Sequence, residues 1–257
     1  MMGKIEICRE NLEFVLDGCG VLAGFSTRLG GVSGGAYASL NLGDHVGDDP
    51  QNVAQNREIL AAALGIAPRN LKFMRQIHSN KVEILRAGSV EIPPCDGLVT
   101  DLRGVALCVL VADCSPVLIA DERRGVVAAV HAGRAGVIGR ICTNAINLMC
   151  ERFGCVAAEL KVFVGANIKA RKYELGGLDL GEFERYKTQG HFDMNAALRD
   201  ELAAAGVRNV KFDPRCTFES ERHFSYRRDG VTGRFCGFVM NMPMKSKTGY
   251  KISPQGC

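Results

Sequence analysis

Three side chains that commonly bind metal ions lie next to apolar stretches of the sequence. His78 comes just before one such stretch, Cys114 follows a second, and His131 ends a third. Polar residues at strand ends are well placed to face a cleft. Two imidazoles and one thiolate suit zinc, and three protein ligands leave a fourth position open, as in catalytic zinc sites. Water bound there would have its pKa lowered to about 7, so these residues indicate a candidate catalytic zinc site.

The spacing of the three residues leaves other interpretations open. His78 and Cys114 are 36 residues apart, and Cys114 and His131 are 17 apart, which matches no local zinc-binding pattern. All three could instead be buried or hydrogen-bonded structural residues. Cys114 could also act as a thiolate nucleophile with His131 or His78 as its base.

Other polar residues give weaker signals. His45, His191 and His223 are interpreted as structural or solvated, because no converging partners accompany them in the sequence. Arg227 and Arg228 could clamp a phosphate or a carboxylate, or they could form a solvated turn.

Three amphipathic helices are predicted around these residues. Asp49 followed by Pro50 is typical of a helix start, and apolar residues follow at helical spacing. A second apolar stripe covers residues 138–149. Asp193 is interpreted as the cap of a third helix, which ends at Gly206.

Short apolar runs predict the strands that position the candidate ligands. Their continuous apolar character indicates strands buried on both faces. They occupy residues 82–85, 105–112, 117–119, 126–130, 161–164 and 235–240. Helices and strands alternate without a strict βαβ rhythm, and no linker divides the chain. The sequence therefore predicts a single-domain layered sandwich of the α/β or α+β class with a mixed sheet.

The composition excludes several classes of protein. Of the 257 residues, 47% are apolar and 23% are charged, which is typical of a globular domain and not of a disordered or fibrous chain. The net charge of +4 does not favour a nucleic-acid partner. Eleven cysteines without a disulfide framework, and no signal-like or membrane-spanning apolar run, predict reduced thiols in a cytoplasmic protein without a membrane partner. We expect a monomer that acts on a small molecule.

Short motifs spread over most of the chain occur in a recognisable order. They include SLNLG at 39–43, QIHS at 76–79, DGLVTD at 96–101, ADC at 112–114, HAG at 131–133, FDMNAA at 192–197 and FSYRRDGVTGR at 224–234. Together they resemble the YfiH-type family, also called the laccase-domain or multicopper polyphenol oxidase family. The resemblance implies an α+β fold with four layers, α/β/β/α, over residues 1–243, followed by a loose polar tail at 244–257.

The resemblance also implies a site and an activity. It identifies His78, Cys114 and His131 as a zinc site, with Cu²⁺ as a second candidate ion. Members of the family are described as purine nucleoside phosphorylases that act on adenosine, inosine, guanosine and methylthioadenosine, with adenosine deaminase activity. Copper-linked phenol oxidation and the editing of a peptidoglycan precursor, by an amide hydrolase, are the alternatives that the family offers.

Four further residues in or beside these motifs are candidates for the reaction. Asp113 is expected to orient the ligands or carry a proton, and it completes a catalytic set with the three metal ligands. Arg28, Asn41 and Gln76 offer anion or amide recognition and are expected to contact the substrate.

One motif departs from the family pattern. The family usually continues the second histidine as Ala-Gly-Trp-Arg-Gly, whereas this chain, which has no tryptophan, carries Arg134 and Ala135 in place of the tryptophan and the arginine. The change keeps a metal-binding module without catalysis as a further alternative.

Overall fold

Two large β-sheets face each other at the centre of the molecule, in a computed structural model that describes residues 11–18, 20–89 and 91–243. In chain order the strands are β1 (Leu12–Gly18), β2 (Val21–Ser26), β3 (Leu71–Phe73), β4 (Val82–Ile84), β5 (Gly97–Thr100), β6 (Ala106–Val111), β7 (Ser115–Asp121), β8 (Val126–Ala132), β9 (Lys161–Val164), β10 (Lys187–Thr188), β11 (His191–Phe192), β12 (Asn209–Phe212) and β13 (Phe235–Asn241). The helices are α1 (Pro50–Leu64), α2 (Arg134–Ile138), α3 (Ile141–Phe153), α4 (Met194–Ala204) and α5 (Tyr226–Asp229).

Both large sheets are mixed, as the sequence predicts. The first has the strand order β1-β2-β13-β6-β3, and the second has the order β12-β9-β7-β8-β5-β4. The edge strands β3, β4 and β12 run parallel to their neighbours. The other pairs in these two sheets are antiparallel. The separate strands β10 and β11 form a small hairpin.

Apolar side chains of the central strands alternate between two layers, because successive residues of a strand point to opposite faces. In β6, Leu107 and Val109 pack between the two sheets, whereas Cys108 and Leu110 pack towards α1. On the far side of the second sheet, α2, α3 and α4 cover a third apolar layer. The four-layer α/β/β/α fold is therefore confirmed.

Two predicted helix starts are confirmed by side-chain caps. The Asp49 carboxylate accepts a hydrogen bond from the backbone N–H of Gln51, and Pro50 is the first residue of α1. The Asp193 carboxylate accepts one from the N–H of Ala196 at the start of α4. Such caps satisfy N–H groups that have no partner within a helix.

The helix predicted over residues 138–149 is present as α3 from Ile141 onwards, but Ile138 belongs to the short helix α2, and a break in the helical backbone separates the two. Arg140 at the break has a φ of 55°, which interrupts the helical backbone. The Asn80 side chain packs against Gly139 and donates a hydrogen bond to its carbonyl oxygen at 2.9 Å. The break between α2 and α3 therefore lies against the loop that also carries His78.

Pro116 lies inside β7 opposite His131. It is the second residue of the strand, near the end where a missing N–H is tolerated. Eight cysteines of the described residues are free thiols. No helix in the described residues is both long and apolar enough to cross a membrane. The tail predicted at 244–257 lies outside the described residues.

Candidate metal centre

The three candidate ligands converge at one end of the sheets. His78 lies in the loop between β3 and β4, Cys114 lies between β6 and β7, and His131 lies near the end of β8. Their ligating atoms all lie within 4.8 Å of one another. The two imidazole rings have centroids 4.8 Å apart and planes at 84°. Residues far apart in the chain thus form one compact group of nitrogen and sulfur donors, the donor types that zinc prefers.

Burial of the three side chains decreases across the group. His131 is buried, Cys114 is half-buried and His78 is exposed. The group is therefore anchored in the core on one side and accessible from a cavity on the other. A metal held by three protein atoms in this setting keeps a coordination position for an exogenous molecule.

Asp96 links two of the ligands, and the sequence analysis did not single it out as a site residue. Its carboxylate is fully buried and accepts a hydrogen bond from His131 Nδ1 at 2.8 Å. It also accepts bonds from the backbone N–H groups of Ile77, His78 and Ser79 and from the Ser79 hydroxyl. The available signal was the acidic residue at the start of the motif DGLVTD, directly before an apolar strand.

The hydrogen bond to Asp96 determines which nitrogen of His131 can bind a metal. An ionised carboxylate only accepts hydrogen bonds, so Nδ1 carries the proton and Nε2 is left for the ion. Burial alone would raise the pKa of Asp96, but the hydrogen bonds from His131 and Ser79 outweigh it and hold that pKa well below its usual range. Asp96 therefore stays ionised and keeps its acceptor role.

Cys114 and His131 shift each other's pKa in opposite directions. Burial raises the pKa of the Cys114 thiol, but the charge and hydrogen bond of His131, with a contribution from His78, outweigh it and lower the pKa to about 6. Burial lowers the pKa of His131, while the Cys114 thiolate and Asp96 raise it to about 9. The thiolate is the form of cysteine that binds metals, and a bound ion would displace the proton that the raised pKa keeps on His131 Nε2.

Gly133 lies directly against the three ligands. A β-carbon at this position would lie 3.1 Å from Cys114 Sγ, 3.4 Å from His78 Cδ2 and 3.5 Å from His131 Cε1. The backbone of Gly133 is extended, with a φ of −77°, so close approach and not conformation requires the glycine. The donor set and the space kept beside it fit a metal ion.

A cavity of about 470 Å³ opens in front of the ligand group. Besides the three ligands it is lined by His45, Gln76, Leu110, Val111, Ala112, Asp113, Ile168, Tyr173, Met194, Tyr226, Arg227 and Arg234. Apolar and aromatic walls with a few converging polar groups are typical of small-molecule sites.

The three predicted substrate contacts have different surroundings. Gln76 lines the cavity, but its amide is paired with the backbone N–H and C=O of Leu110 at 2.9 and 2.8 Å. Asn41 is fully buried, is not among the lining residues, and bonds to Gly43, Asp48 and Arg234.

Arg28 is also not among the lining residues. Its Nε donates to the carbonyl oxygen of Ala38 at 2.7 Å, and its guanidinium lies 4.7 Å from the centroid of the Phe224 ring. The structure therefore brings Gln76 to the cavity, whereas Asn41 and Arg28 support the loops behind it.

Asp113 lines the cavity with both carboxylate oxygens already engaged. They accept hydrogen bonds from the Thr217 hydroxyl and the backbone N–H of Arg227, each at 2.6 Å. The backbone carbonyl of Asp113 accepts another from Ile168. These contacts fit the predicted orienting role of Asp113 better than the predicted proton transfer.

The two neighbouring arginines of α5 have different environments. Arg227 lines the cavity, whereas Arg228 pairs with Asp229 and donates to carbonyl oxygens of the preceding loop. Arg134 is half-buried and Ala135 is exposed at the start of α2, and neither is among the lining residues.

Comparisons with known proteins give one family and several relatives. The family model described as multi-copper polyphenol oxidoreductase laccase matches residues 22–242. A protein of Corynebacterium glutamicum named purine nucleoside phosphorylase is 44% identical over 227 residues, which cover 84% of this chain and 92% of that protein.

Solved structures show the same fold. The crystal structure of protein NMB0706 of Neisseria meningitidis has a TM-score of 0.80 at 35% identity, covering 91% of this chain and all of that one. The crystal structure of YlmD from Geobacillus stearothermophilus has a TM-score of 0.81 at 31% identity, covering 87% of this chain and 93% of that one.

Proposed function

The chain belongs to the multi-copper polyphenol oxidoreductase laccase family, and we propose that it is a purine nucleoside phosphorylase that depends on Zn²⁺ at His78, Cys114 and His131. Similarity over most of the chain to relatives named purine nucleoside phosphorylase carries the proposal. Its partners are then small molecules, a purine nucleoside and inorganic phosphate.

The reaction exchanges one bond at the sugar for another. An oxygen of phosphate bonds to C1′ of the nucleoside as the C1′–N9 bond breaks. The electron pair of that bond leaves with the purine, which takes up a proton, and ribose 1-phosphate remains. A Zn²⁺ ion at the ligand group would supply a Lewis acid for an oxygen atom in the cavity.

The residues of the chain contribute binding and orientation. Ile168, Tyr173 and Met194 form an apolar part of the cavity wall that suits the faces of a purine base. Asp96 holds His131 with Nε2 available for the ion. Adenosine deamination belongs to the same proposal as a side activity, in which water adds at C6 of the base and ammonia leaves.

The ligand count of this chain argues against multicopper oxidation. Such chemistry needs several copper centres and many histidines, and this chain has five in total. His78 and His131 belong to the ligand group, and His45 is exposed at the cavity. His191 and His223 lie in other parts of the fold.

Removal of the thiol ligand tests the proposal. We expect Cys114→Ala protein to lose bound zinc, measured by elemental analysis, and to lose ribose 1-phosphate formation from adenosine or inosine plus phosphate. The matched control is Cys150→Ala, which removes another half-buried free thiol, on α3, and leaves the ligands intact.

Three results would contradict the proposal. They are phosphorolysis by metal-free Cys114→Ala protein, zinc-loaded wild-type protein that converts no purine nucleoside, and release of an amino acid from peptidoglycan precursors by protein inactive on nucleosides.

A further inference from the structure

Two arginines line the cavity without holding the metal ligands. Arg234 immediately precedes β13, and Arg227 lies on α5. Both share the cavity with His78, Cys114 and His131. Arginine has a planar donor geometry that matches phosphate and carboxylate groups, so the environment of each guanidinium indicates what it can bind.

The Arg234 guanidinium is partly withdrawn from solvent and has no ionic partner of its own. Its Nη1 donates to the carbonyl oxygens of Thr232 and Gly233 at 2.9 and 3.0 Å. Burial lowers the pKa of Arg234 from its ordinary value, against the opposing charges of Cys114 and Asp113. Among the described residues, no carboxylate forms an ion pair with it, and both oxygens of the nearby Asp113 accept hydrogen bonds from Thr217 and Arg227.

The backbone of Arg234 is fixed before any ligand arrives. Asn41 Oδ1 accepts the backbone N–H of Arg234 at 2.8 Å and also that of Gly43. A β-carbon on Gly43 would lie 2.9 Å from Cγ of Arg234, so the glycine lets the arginine stem pack closely. A side chain held in this way loses little conformational freedom when it binds an anion.

Arg227 lies on the neighbouring wall of the cavity and is exposed, whereas Arg234 is half-buried. Its backbone N–H is held by Asp113, its Nη1 donates to the carbonyl oxygen of Glu174 at 2.7 Å, and its guanidinium lies 5.3 Å from the centroid of the Tyr173 ring. It likewise forms no ion pair within the part of the chain that the structure describes. Arg228, by contrast, is neutralised by Asp229.

We propose that Arg234 and Arg227 form the subsite for inorganic phosphate in this cavity, with Arg234 as the principal contact. The proposal rests on the proposed phosphorolysis for the identity of the anion. Two guanidinium groups that face one cavity without carboxylate partners provide the charge that a phosphate dianion requires. The sequence named Arg227 and Arg228 as a possible clamp for phosphate or carboxylate, and Arg228 is paired with Asp229 instead. Arg28, which the sequence predicted as a substrate contact, packs on Phe224 outside the cavity lining.

The binding test uses the metal-loaded protein and inorganic phosphate as the probe. Phosphate should raise the melting temperature of wild-type protein, and Arg234→Met should abolish most of that shift. The matched control is Arg208→Met, which removes an exposed guanidinium beyond α4. Arg234→Lys should recover part of the shift, since it restores the charge without the planar geometry.

The kinetic test separates the two substrates. Loss of a charge-assisted contact to phosphate in Arg234→Met should raise the KM for phosphate by roughly tenfold to a hundredfold. The KM for the nucleoside should change much less. Adenosine 5′-monophosphate replaces phosphate in a second arm, to test whether the anion belongs to a nucleotide.

The anion subsite and the phosphorylase activity can each be present without the other. A phosphate shift that depends on Arg234 in a protein without phosphorolysis would support the anion subsite and overturn the phosphorylase. An equal phosphate shift in wild type and Arg234→Met, or none in either, would overturn the subsite whatever the activity. Stabilisation by the nucleotide but not by phosphate would overturn the assignment to inorganic phosphate.

Discussion

Asp96 and His131 are joined by a hydrogen bond of 2.8 Å between Oδ1 and Nδ1, and both side chains are buried. The same carboxylate oxygen accepts the backbone N–H of His78 at 3.0 Å. One acidic residue thus orients one ligand through its ring and a second through its backbone. Partners of this kind tune a metal site without touching the ion.

We expect Asp96→Asn to weaken zinc binding by roughly ten- to a hundredfold, because an amide can also donate to His131 and so favour the wrong tautomer. Zinc affinity is measured by competition with a chromophoric chelator. The matched control is Asp121→Asn, a buried carboxylate that pairs with Arg124 at the end of β7. Equal zinc affinity in Asp96→Asn and wild type would show that Asp96 has only a structural role.

The local features of the fold could be predicted from the sequence. Helix caps at Asp49 and Asp193 involve residues two or three positions away, so their pattern is readable in one segment. Residues 126–130 and the histidine after them were recognisable because buried strands have continuous apolar sequences. Cys114 and His131 could be predicted as candidate ligands because they lie at the ends of such strands.

Long-range contacts could not be predicted in the same way. The pairing of Asp96 with His131 depends on the register that sets β5 beside β8, in which Gly97 lies opposite Val130. β2 was missed because it contains Gly24, whose missing side chain makes room for the ring of Phe238. Strand register and close packing depend on pairs of segments that are far apart in the chain, and a single sequence does not show which segments pair.

Gly133→Ala should impair the metal centre while leaving the fold intact. The added methyl would press on Cys114 Sγ at 3.1 Å, and the extended backbone accepts alanine without strain. Overpacking of this size costs about 1–3 kcal/mol, so we expect zinc affinity to fall by roughly tenfold or more.

Gly177→Ala is the control for Gly133→Ala, since a β-carbon there meets nothing within 4 Å. Circular dichroism and zinc titration of both variants provide the measurement. Unchanged affinity in Gly133→Ala would mean that the ligands can move apart without cost.

His223 should make the free energy of unfolding depend on pH. The side chain is fully buried, and burial lowers its pKa from 6.5 to about 4, with Arg215 acting in the same direction and Glu13 against it. Between these values the unfolded chain binds the proton and the folded chain does not. The free energy of unfolding is therefore highest above pH 6.5 and decreases as the pH falls towards 4.

Lowering the pKa of His223 from 6.5 to about 4 reduces the free energy of unfolding by about 3 kcal/mol at low pH. Urea unfolding of metal-free protein at a series of pH values measures it. His223→Asn should have a shallower decline than wild type over this range, whatever its absolute stability. Parallel curves for the two proteins would rule out a buried neutral His223.

Asn41→Asp tests whether Asn41 is a substrate contact or a structural residue. Its Nδ2 donates to Asp48 Oδ2 at 2.9 Å and to the carbonyl oxygen of Gly43, so an aspartate would place two carboxylates in contact. An uncompensated buried charge should cost roughly 3 kcal/mol or more in the free energy of unfolding at neutral pH. The double variant Asn41→Asp with Asp48→Asn should recover part of the loss, because it restores one amide and one carboxylate. Equal destabilisation of both variants, or a raised nucleoside KM at unchanged stability, would contradict the structural role, since repulsion between positions 41 and 48 requires both charges.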